Sequence, residues 1–171
     1  KLDYSTLSVF TPPISSLVGL EDFKNLKRFH LGIKNNITEF NFPELEVLEV
    51  LILTKTSLND LTLNHPNLYQ LTFENNQFDT SLDISQCLIL DRVSASKSNI
   101  INVTLPKRSR LRYLNLQNNK LSSIDISDMN NLEYAYINNN DLDAFSTNGN
   151  TRRIIQLRVQ GNSNLKNVNV S

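Results

Sequence analysis

His30, His65 and Cys87 are the only side chains here able to act near neutral pH as an imidazole base or a thiolate nucleophile. Acid–base or nucleophilic catalysis needs such groups within hydrogen-bond reach of one another. These three stand in different contexts: His30 lies in an alternating apolar–polar run, His65 in an LNHPN bend, and Cys87 alone between bends. Cys87 reads as a small buried apolar residue, and it has no second cysteine for a disulfide. No group of cysteines and histidines has metal-ligand spacing, and four glycines are too few for a phosphate-cradling loop. Asp125, Asp128, Asp141 and Asp143 lack the spacing of a calcium loop and read as solvated turns. The inventory predicts no enzyme, no catalytic residue, no metal and no cofactor.

The elements that position these side chains recur along the chain. Taking Leu111 of LRYLNLQNNKLSSIDISDMNN as position one, copies start at Tyr4, Leu26, Leu48, Leu68, Leu90, Leu111, Leu132 and Ile154. Positions one, four and six are apolar in all eight copies, 24 residues where a 39% apolar background would supply about nine. A fixed period of this length is the mark of a solenoid, in which each coil buries its apolar edge against the next. The expected organisation is one domain over residues 1–171.

Within a copy, positions four and six alternate with polar neighbours, as in a short strand with one face buried. A bend follows, carrying Asn35, Asn76, Asn119, Asn140 or Asn162, with Thr56 and Ser98 as substitutes. An inward amide there can bond backbone groups that the bend leaves unpaired, so stacked coils should form an amide ladder. This use helps explain 25 asparagines in a foldable chain. After the bend come one more core residue, such as Ile14, Ile37, Phe78 or Leu121, and an apolar pair two apart, such as Phe40 and Phe42 or Ile124 and Ile126. That alternation predicts short strands on the far side as well. The first copy differs: Leu17, Leu20, Phe23 and Leu26 are spaced by three, which suits a helical turn.

The runs LRYLNLQNNKL, LYQLTFENNQF and LEYAYINNNDL resemble the leucine-rich repeat family over essentially the whole chain. SSIDISDMNNL is similar to the short bacterial subtype of surface proteins in Bacteroidetes, and ISSLVGLEDFKNLKRFHL resembles the internalin subtype. The resemblance implies a β-rich α/β solenoid: a right-handed superhelix of about eight coils. Its parallel sheet would line the concave face, with short strands or 3-10 turns on the convex face. It also implies an extracellular or cell-surface location. The repeat runs from Tyr4 to Val170, so a longer protein is expected, with further domains or chains covering the solenoid ends.

Seventeen basic and seventeen acidic residues cancel, giving no reason to expect nucleic acid as a partner. The longest apolar run, Val47 to Leu53, already contains Glu49, so no membrane insertion is expected. Three sequons, at Asn36, Asn102 and Asn169, are no more than the asparagine content produces by chance.

Positions two, three, five, seven and eight form outward columns. Tyr69, Arg92, Arg112, Tyr113, Tyr134, Tyr136, Gln156 and Arg158 fall on them, with Tyr113, Tyr134 and Tyr136 expected to touch. Tyrosine and arginine anchor interfaces because each joins a large contact area to a polar tip. The same tyrosines would also suit exposed strands through cross-strand packing. A second candidate patch comprises Phe10, Arg28, His30 and Ile52, with Ile33 beside them. The expected function is a noncatalytic module recognising a protein or glycan ligand through the concave sheet. The alternative is a rigid spacer or assembly subunit that makes contact through its ends or convex face.

Overall fold

Short apolar–polar alternations separated by bends give this chain thirteen short strands and almost no helix among the described residues. The structure is a computed structural model that describes residues 5–10, 16–32, 37, 42–58, 60–76, 79–107, 110–147 and 152–170. Tyr4, Ile14, Ile33, Asn35, Asn36, Phe40 and Phe78 lie outside them.

In chain order the strands begin with β1 (Thr6–Val9), β2 (Arg28–Leu31), β3 (Val50–Thr54), β4 (Asp60–Thr62), β5 (Gln70–Glu74), β6 (Thr80–Asp83) and β7 (Arg92–Ser94). They continue as β8 (Ile100–Thr104), β9 (Tyr113–Asn115), β10 (Tyr134–Tyr136), β11 (Ala144–Ser146), β12 (Gln156–Arg158) and β13 (Asn167–Asn169). An eight-stranded parallel sheet runs β1-β2-β3-β5-β7-β9-β10-β12. On the far side, β4, β6 and β8 form a three-stranded sheet, and β11 pairs with β13. The fold is therefore a parallel β-solenoid. Register is constant: Thr6, Arg28, Val50, Gln70, Arg92, Tyr113, Tyr134 and Gln156 lie side by side, each the third position of its coil.

Two details of the expected architecture are corrected. The only helical turn among the described residues is the 3-10 segment Leu20–Asp22, so the solenoid is not of an α/β kind. A coil of 20 to 22 residues spends its length on a strand, a bend, a far-side segment and a return turn, leaving no helical face to bury. The eight strands of the main sheet also bound about seven turns, not eight, because each turn runs from one strand to its neighbour.

The core is the inward column of each coil. Leu48, Leu51 and Leu53, Leu68, Leu71 and Phe73, and Leu111, Leu114 and Leu116 are all fully buried. Truncating one of these leucines to alanine costs about 2–5 kcal/mol, the range for buried large-to-small changes.

Two adjacent residues make each bend among the described residues, and in three bends both are asparagine. The first takes a left-handed backbone: Asn75, Asn118 and Asn139 have φ of 60°, 58° and 57°, with Lys55, Lys97 and Gly161 in the equivalent places. Asparagine tolerates this region better than most residues. At Gly161 φ is 74°, and a Cβ would lie 2.0 Å from Asn139 Oδ1, so any other residue would have to displace the Asn139 side chain. The second asparagine turns inward. Asn119 Nδ2 donates to the carbonyls of Ala95 (2.7 Å) and Leu116 (2.9 Å), while its Oδ1 accepts from the Ser98 and Ile100 amides (2.9 and 3.2 Å). Asn140 and Asn162 repeat the pattern one and two coils later. Ser98 fills the same place with a hydroxyl that donates to the Phe73 carbonyl at 2.7 Å.

Candidate functional site

Two of the three residues with catalytic chemistry, His65 and Cys87, are absorbed into the core. Among the described residues, five return turns close with the position-one amide donating to the carbonyl three residues earlier: Leu26 to Phe23, Leu48 to Leu45, Leu68 to His65, Leu90 to Cys87, and Leu132 to Met129. His65 and Cys87 thus occupy the repeat position of Leu45 and Met129, and both are buried. His65 Nε2 lies 3.0 Å from the Pro43 carbonyl, and its ring meets Phe42 edge-on at 5.2 Å. We assign the proton to Nε2, because the Pro43 carbonyl can only accept and is closer than the Leu45 amide, whose nitrogen lies 3.5 Å from the same atom; this leaves Nδ1 buried without a partner. Burial lowers the His65 pKa, although the Pro43 carbonyl and Glu44 pull the other way. Cys87 Sγ donates to the Leu63 carbonyl at 3.3 Å, and burial pushes its thiol pKa up, which disfavours the reactive thiolate. The column Phe23, Leu45, His65, Cys87, Met129 was the sequence signal for this assignment. Two polar types in it hid the periodicity.

Among the described residues no three of His, Cys, Asp and Glu gather as metal ligands. The Ser127 side chain, and after it the Ser127 amide that donates to Asp125 at 2.9 Å, lower the Asp125 pKa in a local turn. Nor is any helix among them long and apolar enough to cross a membrane.

The outward face of β7, β9, β10 and β12 carries the most organised set of exposed and half-buried side chains. The Arg92 guanidinium lies over the Tyr113 ring at 4.5 Å. The Tyr113 ring meets Tyr136 edge-on at 5.7 Å and Tyr134 at 6.3 Å with a 44° tilt. The Arg158 guanidinium lies over Tyr136 at 4.8 Å. Gln156 sits between them: with its nitrogen donating to Tyr136 Oη (2.7 Å), its oxygen accepts from Arg158 Nη2 and Nε (2.9 and 3.3 Å). The register explains the assembly, because β10 places Tyr134 beside Tyr113 and Gln156, and Tyr136 beside Asn115 and Arg158. Six of the eight primary candidates are thereby brought together.

Arg112 and Tyr69 are not in this stack. Arg112 pairs with Asp91, the residue before β7, through Nε and through Nη2 at 3.2 Å. Tyr69 is 41% exposed and lines a shallow groove of about 400 Å³ with Lys27, Val47, Glu49, Asn67 and Ile89. In the second patch, Phe10 meets His30 edge-on at 4.6 Å and lies across Gly32, where a Cβ would stand 3.1 Å from its ring. Burial lowers the His30 pKa. Arg28 is exposed and Ile52 half-buried alongside it.

The chain matches no protein-family model, no curated protein and no solved structure. Its reading rests on the geometry above.

Proposed function

We propose that the chain is a noncatalytic recognition module of the leucine-rich repeat type, from an extracellular or cell-surface protein, that binds a protein or glycan ligand. Binding uses the outward face of β7, β9, β10 and β12. The observation that carries this reading is the unbroken stack Arg92–Tyr113–Tyr136–Arg158, held open on the sheet by Gln156. Backbone register fixes this surface before contact, so a ligand would meet side chains that have little freedom left to lose. Large amphipathic rings and guanidinium groups are also the types that dominate interface energetics.

The test screens the chain against arrays of glycans and of extracellular protein domains, then repeats each hit with a Tyr134→Ala, Tyr136→Ala variant. Loss of the hit with an unchanged circular dichroism spectrum is expected; unchanged affinity in the folded variant would sink this reading. A second reading, assembly through the solenoid's far side, draws on Val168 and Val170 in and beside β13, which are 50% and 53% exposed. Sedimentation velocity separates the two, since assembly requires concentration-dependent association and recognition does not.

A further inference from the structure

Charge is unevenly shared along this neutral chain. Residues 1–89 hold 6 Lys and Arg against 11 Asp and Glu, and residues 90–171 hold 11 against 6. In the second half, Asp125, Asp128, Asp141 and Asp143 all follow the bends and lie away from the main sheet's strands. Of the six acidic residues in that half, Asp91 and Glu133 stand beside the tyrosine face, both next to Arg112: Asp91 pairs with it, and Glu133 occupies the adjacent place on the next coil. From the first half Glu74 reaches the edge of this face, where its carboxylate accepts from Ser94 Oγ and so is already engaged. Arg92 and Arg158 make no ion pair among the described residues; each is held against a tyrosine ring instead. Arg158 uses two of its donors on Gln156, so both guanidinium groups keep outward N–H donors for an anion.

Resting on the recognition reading above, we propose that the ligand is an extended acidic polypeptide segment. It crosses β7, β9, β10 and β12 with acidic side chains at residues i and i+4 on Arg92 and Arg158, and residue i+2 over the tyrosines. Spacing supports this. Three consecutive steps of 4.5, 5.7 and 4.8 Å join the guanidinium carbons through the two rings, so they stand at most 15 Å apart. In an extended chain, side chains on one face recur every ~6.7 Å, which puts i and i+4 ~13.5 Å apart. Ring geometry favours a polypeptide over a sugar: Tyr113 and Tyr136 each have a face covered by a guanidinium and an edge-to-face contact with one another. What the surface offers outward is hydroxyl tips and guanidinium N–H groups more than bare rings on which a sugar would stack.

The experiment follows the arginine Nε–Hε and backbone amide NMR signals of the full chain as the peptide Ser-Glu-Thr-Leu-Thr-Glu-Ser is added. Parallel titrations use the same peptide with Gln for Glu, and heparin as a sulfated polysaccharide. The expected result is shifts at Arg92, Arg158 and the three tyrosines. Binding should weaken at least about tenfold with the Gln peptide or with an Arg92→Gln, Arg158→Gln variant, and fall as salt is raised. Peptide binding that ignores the arginine variant, or no shift at millimolar peptide, would overturn the proposal. Heparin shifting the same signals while the peptide does not would overturn the polypeptide assignment yet leave the face as a recognition surface. An array hit that needs Tyr134 and Tyr136 but is indifferent to both arginines would do the same.

Discussion

The coil that begins at Leu111 has two surfaces built by different rules. Inward, Leu111, Leu114, Leu116 and Asn119 are buried, and the Asn119 amide makes four hydrogen bonds to backbone of two coils. Outward, Tyr113 is half-buried and Arg112 exposed, and their contacts are with other side chains: a guanidinium, two rings and a carboxylate. Stacking dictates the inward residues, because an unpaired buried carbonyl or amide costs about 1–3 kcal/mol. It leaves the outward types largely open, which is why an organised stack of Tyr and Arg there points to use.

The largest effect should come from breaking the inward side. Asn119→Ala strands the Ala95 carbonyl and the amides of Ser98 and Ile100, and leaves the Leu116 carbonyl to Asn140, so it should cost at least about 3 kcal/mol in urea unfolding. A loss below 1 kcal/mol would mean that water replaces the ladder. The next effect concerns the left-handed residue one place earlier, which belongs to the bend. Asn118 has φ 58°, so Asn118→Val should cost about 1–2 kcal/mol while Asn118→Gly stays near neutral.

His65 sharpens the comparison through pH. Its folded pKa is lowered by burial below the ordinary value of 6.5. Below pH 6.5 the unfolded chain therefore takes up a proton that the folded chain resists. The stability from the neutral ring is fully present above pH 6.5 and is lost as pH falls toward the folded pKa. His65→Phe should flatten that part of the stability curve, and an unchanged slope would place the acid sensitivity elsewhere. The smallest effect is a rate: native Cys87 should react with thiol reagents far more slowly than the unfolded chain, since the buried thiol is held protonated.

Most of the solenoid was legible because stacking repeats its demands. Leucine at positions one, four and six, asparagine at the bend and alternation beyond it each recur from coil to coil. The absence of helix was less legible, because a family resemblance carries an architecture along with a motif. Far-side alternation was the better guide where β4, β6, β8, β11 and β13 form, but Ile124 and Ile126 lie in no strand, contrary to their alternation. The contact of Tyr113 with Tyr134 and Tyr136 followed from register alone. Which ring each guanidinium covers, and that Arg112 turns to Asp91, depend on side-chain rotamers that spacing does not set. His65 and Cys87 looked like chemistry because their types are rare. Their repeat position, shared with Leu45 and Met129, made them core.

The central claim is that the tyrosine face is spare to the fold while the amide ladder is not. Equilibrium urea unfolding of Tyr134→Ala beside Asn119→Ala tests it most directly. The account predicts a loss of about 1 kcal/mol for the tyrosine, the worth of one aromatic contact, against at least about 3 kcal/mol for the asparagine. Equal losses would contradict it, because the tyrosines would then be packing residues of the sheet.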